Sequence, residues 1–360
     1  MTTTVDFAPN DTQRAIVRAA AGVLDGTGGE KPDLAWRGLA QAGLLSLAVP
    51  SRLGGEGLGA PEIGVLLTEI GRRGLALPAL PTLALGLLPI ARWGTSDQQQ
   101  DLLSPLDTGD RVLTAALREP SDPMPLTPAT YATADLAVTG TKIGVWYAEQ
   151  AHRILVPITR STGGTAVALI DPAGPGVRLR RTPASSGLPE YTVELDEAPA
   201  GGLLDCDAAA LYRTAIAGAC ALGDGLLAGA LALTTAHVGS REQFGRPLAT
   251  FQAVAQQIAD VYVTARTLHL AVVAACWALG SGRPAHHDLA DDDLAVAAQW
   301  LTAEAPPALR SCHHLHGGLG LAADYPLHRH TALVRDLVRL LGGSEHCVQR
   351  LGERVAQQPG

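Results

Sequence analysis

Aromatic side chains are scarce in this chain: only 4% of its 360 residues are Phe, Trp or Tyr, although 47% are hydrophobic. A core of that kind must be built mainly from Ala, Leu and Val, which suits long, closely packed helices. An excess of positive charge is also missing. With 27 Lys and Arg against 35 Asp and Glu, the net charge is −8; no basic face is visible, so no nucleic-acid partner is expected. Cysteine is sparse and odd in number. Cys206, Cys220, Cys276, Cys312 and Cys347 are scattered without a CxxC pair, as expected of reduced core residues in a cytoplasmic protein. Residues 1–10 lack the basic and apolar regions of a signal peptide. The apolar runs are interrupted by Gly, Pro or charge before about 20 residues, so no membrane span is expected. The length suffices for two or three domains around a large core.

The chain changes texture twice. From Asp11 to Leu113 the pattern is helical: an amphipathic run over Thr12–Leu24 stopped by Gly26 to Gly29, a second over Leu34–Ala42, and an extended stretch at Leu45–Pro50. The glycine-rich turn Gly54–Gly59 follows, and Pro61 stands as a first helical residue of a segment through Arg73. Another helix is expected over Leu80–Trp93, with Ser96 as the cap of the next. From Thr114 the runs beginning at Leu136, Arg153, Thr165 and Tyr191 are short and strand-like, separated by Gly, Pro and Asp, and suggest a small sheet or barrel. Helical character returns at Ala208. Phe251, Val254, Ile258, Val261, Tyr262, Ala265 and Leu268 form one face of a long helix. A loop is expected over Gly280–His287, and Asp291 to Asp293 suit a solvated helix start. The expected units are 1–113 (helical), 114–207 (β) and 208–360 (helical).

Two features invite sharper readings. Neither Gly54–Gly59 nor Gly317–Gly320 sits between a strand and a helix in a βαβ unit, so neither is expected to hold a dinucleotide in the Rossmann manner. His313, His314, His316, His328 and His330 are crowded, but their spacing is not that of helical metal ligands, and no metal site is expected. Packing or surface histidines, or contact with a bound anion, remain as readings.

Three stretches resemble the acyl-CoA dehydrogenase family and together span most of the chain. The first is Trp36–Leu44 with Ala48–Gly57. The second and most specific is Ser240–Gln252, running into Ile258-Ala-Asp260. The third is Leu315–Leu321 with Asp324-Tyr-Pro326 and Arg335-Asp336. The resemblance implies an N-terminal all-α domain, a middle β-barrel-like domain and a C-terminal four-helix bundle. It also implies FAD bound across a subunit interface. In the family, the arginine of Arg-x-x-Phe-Gly meets the pyrophosphate of a neighbour's flavin. Here that is Arg241, whose guanidinium fork suits phosphate oxygens. Gln243 and Phe244 would flank the same cofactor, with Gln252 nearby. His314 stands where the family usually has a glutamine, and Gly317 and Gly318 would let the backbone approach.

The departures from the family pattern are as informative. The implied reaction removes a proton from the acyl α-carbon while hydride leaves the β-carbon, and it needs a carboxylate base. Counting from Asp324-Tyr-Pro326 puts that base at Leu341; matching Gly343-Ser344 to the family's Gly-Thr puts it at Gly342. The alternative family position, on the helix before Arg241, falls at about Ala215. None can take a proton, and the nearest acids, Glu345 and Asp224, are out of register. In the β domain, Arg118-Glu-Pro-Ser-Asp-Pro123 lacks the family's Gly-Ser pair, and Pro123 and Pro125 remove backbone donors. Where the family places a Trp and a Thr against the flavin ring, this chain has Gly144 and Trp146.

The expectation is therefore no catalytic residue in this chain and a division of labour. It would be a subunit of a heteromeric acyl-CoA dehydrogenase, resembling the base-lacking partner used in actinobacterial sterol and lipid degradation. An acyl-CoA substrate, a second dehydrogenase-like subunit in a heterotetramer and electron-transfer flavoprotein as acceptor are what the resemblance implies. Two other readings stay open: a scaffolding homo-oligomer with no redox role, and a secondary-metabolism enzyme with a relocated base.

Overall fold

The computed structural model of the chain describes residues 7–26, 31–280 and 287–357. The expected helix stop at Gly28 and Gly29 and the loop carrying His286 lie outside them. Five helices come first: α1 (Asp11–Gly26), α2 (Pro32–Gln41), α3 (Ala60–Arg72), α4 (Leu88–Trp93, preceded by a wide-turned π segment Leu80–Leu87) and α5 (Ser96–Leu103). Seven strands follow: β1 (Val112–Ala115), β2 (Tyr131–Ala132), β3 (Ala137–Trp146), β4 (Ala151–Arg160), β5 (Thr165–Ile170), β6 (Val177–Thr182) and β7 (Glu190–Leu204). The remainder is α6 (Ala208–Ser240), the small hairpin β8 (Glu242–Gln243) and β9 (Arg246–Pro247), then α7 (Gln252–Gly280), α8 (His287–Gln299), α9 (Ala305–His316), α10 (Leu327–Leu340) and α11 (Gly343–Gln357).

The strands close on themselves. β4 pairs β2, β2 pairs β3, β3 pairs β7, β7 pairs β5, and β5 pairs β4, with β1 added on β4 and β6 on β7. The ring encloses a small core of its own that includes Val138, Ile154, Val156, Ile158 and Val193. Closure leaves only β1 and β6 as edge strands among the seven.

The larger core gathers both helical regions around α6. By length and composition alone α6 and α7 could each cross a membrane, but 72% of the apolar window of α6 is buried inside the molecule, as in a core helix. The glycines of α6 do not break it; they let other backbones touch it. A Cβ on Gly225 would stand 2.0 Å from the Thr68 carbonyl oxygen, and one on Gly71 of α3 would stand 2.4 Å from that of Leu222. Only hydrogens fit at that crossing.

Several local expectations shift. Leu45–Pro50 forms turns rather than a strand: Val49 N–H donates to Ser46 and Leu58 N–H to Leu47, so buried apolar residues here satisfy their backbone through turns. The cap of α5 is Thr95, not Ser96, because its hydroxyl accepts from Gln98 N–H while the Gln98 side chain accepts from Thr95 N–H. Tyr262 is 55% exposed, so the buried face of α7 runs instead through Val261, Ala265, Leu268 and Val272. Asp291 and Asp292 are partly covered and pair with Arg213 and Arg354.

Candidate functional site

α6 ends where its last carbonyls meet a reversal of the chain. Arg241 N–H donates to the His237 carbonyl, and Arg241 itself is extended. The hairpin turns on Phe244 and Gly245, both with positive φ (54° and 79°), as a two-residue hairpin loop requires. Gly245 adopts this conformation at no steric cost; Phe244 does not. Phe244 is also 91% exposed. Among the described residues its ring meets the edge of Phe251 at 6.2 Å, while the Arg246 guanidinium lies 4.1 Å over the Phe251 ring. Arg241, Gln243 and Gln252 are exposed as well. The chain thus holds a strained aromatic and a cation outside its own core.

The histidine-rich end of α9 lies beside this hairpin. His237, one turn before Arg241, stacks on His316 with ring centroids 4.6 Å apart. His316 is held by the Cys312 carbonyl at 2.8 Å and the Tyr325 hydroxyl at 3.0 Å. His313 contacts Thr331, and His330 is buried between the carbonyls of Arg72 and Pro326. These are packing histidines. His314 is exposed, and Gly317 and Gly318 face open space where side chains would stand. His237 and His316 therefore bring the Arg241 hairpin and the His314–Gly318 segment to one end of the helical region.

The two registers of the C-terminal base position fall at the junction of α10 and α11. Leu341 is 3% exposed. With Met124, Tyr212, Ile216, His346 and Cys347 it lines a cleft of about 290 Å³. Gly342 turns the chain with φ 87°, and a Cβ there would stand 2.5 Å from Pro123 Cγ. Ala215 is buried. Glu345 is exposed, and Asp224 points to another part of the molecule, where it meets His269.

Residues of the chain itself occupy the ring-facing side. The segment after Arg118 ties up its own backbone: Glu119 and Asp122 exchange N–H to carbonyl bonds, and the Asp122 carboxylate accepts from Met124 N–H. It is then pinned from the helices, with the Tyr212 hydroxyl donating to the Pro125 carbonyl at 3.0 Å. The Arg118 guanidinium lies against Gly144, 3.0 Å from where a side chain would begin. Its pKa is lowered by burial and then by Arg339, with Glu190 opposing. Trp146 is buried and donates to Glu190, which also receives Arg339. Sequence reasoning missed this Arg118, Glu190 and Arg339 cluster because its members lie far apart along the chain.

The two halves differ in what they can hold. Arg241, His314 and the open glycines form an accessible cationic edge that fits a diphosphate presented from outside. At Gly144 and Gly342 the space that a side chain would take is filled by Arg118 and Pro123.

Comparisons with known proteins show the family of this chain. The model of the acyl-CoA dehydrogenase N-terminal domain matches residues 12–110, and that of the C-terminal domain matches residues 208–356. The chain is 43% identical to acyl-CoA dehydrogenase FadE28 of Mycobacterium tuberculosis, over 98% of this chain and 99% of that protein. Among solved structures, it superposes on a chain of the ChsE4-ChsE5 complex from Mycobacterium tuberculosis with TM-score 0.89, at 28% identity, covering 99% of this chain and 100% of that one. A Tcur3481-Tcur3483 steroid ACAD variant gives TM-score 0.87 at 32% identity, covering 96% and 98%.

Proposed function

This chain belongs to the acyl-CoA dehydrogenase family, and from that premise we propose that it is the non-catalytic subunit of a heteromeric, FAD-dependent member. A partner subunit would house the flavin ring and supply the carboxylate base. This chain would reach into the partner's flavin with Arg241, Gln243 and Phe244, supported by Gln252, His314, Gly317 and Gly318. The flavin, once bound, supplies the hydride acceptor. The residues of this chain would hold its diphosphate through charge-assisted hydrogen bonds and cover Phe244 in the process. The observation that carries the reading is the contact of Pro123 with Gly342, which denies a side chain to one register of the C-terminal base position, while Leu341 fills the other register and Ala215 stands at the alternative family position.

The proposed units remain 1–113, 114–207 and 208–360, in a cytoplasmic heterotetramer. Relatives of this chain include a steroid ACAD and the ChsE4-ChsE5 complex, which supports a bulky acyl-CoA, such as a sterol side-chain thioester, as the substrate. Electron-transfer flavoprotein is the proposed electron acceptor. Co-expression with a family member that keeps its glutamate tests this. Flavin absorbance at about 450 nm should accompany the pair, at one flavin per two unlike chains, and be absent from this chain purified alone. A full complement of flavin on the lone chain, with oxidation of an acyl-CoA, refutes the proposal.

A further inference from the structure

A second cleft, bounded by α1, α3 and α7, takes no part in the flavin reading. Its volume is about 400 Å³, within the range of small-molecule sites, ~300–1,000 Å³. Phe7, Val17, Val65, Val272, Val273 and Trp277 give it an apolar wall. Its lining is balanced in charge: Glu69 and Asp224 stand against Arg72 and Arg266, and Arg72 is held by Glu69 at 3.0 Å. The cleft therefore favours a neutral guest over an ion.

The inner polar groups are matched, with one exception. Gln13 donates to Glu62 at 3.3 Å, and the Thr68 hydroxyl donates to the Ala221 carbonyl at 3.0 Å. Asp224, 2% exposed, meets His269 Nδ1 at 2.9 Å. A carboxylate accepts, so Nδ1 carries the hydrogen, and the bond fixes both the tautomer and the direction of the ring. Nε2 is then an acceptor and nothing else. Among the described residues it has no hydrogen-bond partner, and the His269 side chain, 28% exposed, lines the cleft. Arg266 stands at the rim, exposed. Inside there remains an apolar slot with one fixed acceptor, whose complement is an uncharged molecule with one donor.

We propose that this cleft binds a small neutral phenol. Its hydroxyl donates to His269 Nε2, and its ring lies against Trp277 and Val272, where an aromatic body packs best. Calorimetric titration of the full chain with 4-ethylphenol, and with its methyl ether 4-ethylanisole, tests it. The ether keeps the ring and an acceptor oxygen but has no hydrogen to donate. Saturable binding of 4-ethylphenol at one site is expected, with the ether weaker by about fivefold, the effect of one neutral hydrogen bond. In a double variant, His269→Leu with Asp224→Leu, the acceptor is gone and no buried partner is stranded; the two compounds should then bind equally. Val273→Phe, at a half-buried position, narrows the slot and should weaken both. No saturation by 4-ethylphenol by about 10 mM, equal or tighter binding of the ether to the wild-type chain, or a preference for the phenol that survives in the double variant would each overturn the proposal. The wild-type comparison decides by itself if a variant misfolds. Flavin content of the paired complex is read separately, and Val273→Phe should leave it unchanged.

Discussion

Lys142 has no exposed surface, and its ammonium meets Glu119 at 2.8 Å beside the barrel wall. Glu119 also accepts from Ala129 N–H and from the backbone and hydroxyl of Thr130. Burial alone would raise the Glu119 pKa, but the bonds from Lys142 and Thr130 hold it below the ordinary value. Removing one partner strands the other charge. Lys142→Met should therefore cost about 3–5 kcal/mol in denaturant unfolding, and Lys142→Met with Glu119→Leu should recover part of it. His330 adds a pH dependence of the same sign in a higher pH range. Burial lowers its pKa, opposed by the carbonyls of Arg72 and Pro326. A lowered histidine leaves stability intact above its unfolded pKa, about 6.5. Below that value the unfolded chain takes up a proton that the folded one refuses, and stability falls. Melting temperatures should drop as pH falls below about 6.5, with a shallower slope in His330→Gln.

At the scale of elements, the crossing of α3 and α6 is where small residues matter most. Gly225→Ala would drive a methyl into the Thr68 carbonyl. It should destabilise by roughly 1–3 kcal/mol, whereas Gly239→Ala, with open space around it, should show no such loss in the same denaturation assay. Helices α1 to α3 were legible in the sequence to within a few residues, because their apolar faces repeat at the helical period, whereas α9 to α11 were read only as continuing helix. β5 was legible at both ends, since Thr165–Ile170 is an unbroken apolar run between turns. β6 was not: Val177–Thr182 is an edge strand rich in arginine, and its exposed side chains hide the alternation. Closure of the strands into a ring was legible only as a possibility, since pairing partners leave no local mark. The wide turns at Leu80–Leu87 follow from Pro81 and Pro89 in a helix that packing nevertheless holds together.

For the whole molecule, the exposed end of the helical region is the part on which the proposed partnership rests. The Arg241 motif was readable because its residues are contiguous. The filled ring pocket was readable only as missing family residues, because Arg118, Glu190, Arg339 and Pro123 meet through tertiary structure. Arg241→Ala should leave the melting of the lone chain within about 0.5 kcal/mol of wild type, while lowering flavin affinity of the paired complex about tenfold or more. Equal flavin retention would remove Arg241 from the proposed interface.

The touching of Pro123 and Gly342 also bears on reversibility. A glutamate written back at position 342 would collide with a proline ring, so the change that restores the acid would first harm the fold; Gly342→Glu alone should lower stability by roughly 1–3 kcal/mol and produce no dehydrogenase turnover. Two segments more than two hundred residues apart would have to change together. Such a contact acts as a ratchet tooth: in the register that places the base at 342, restoring the acid takes a second change at Pro123.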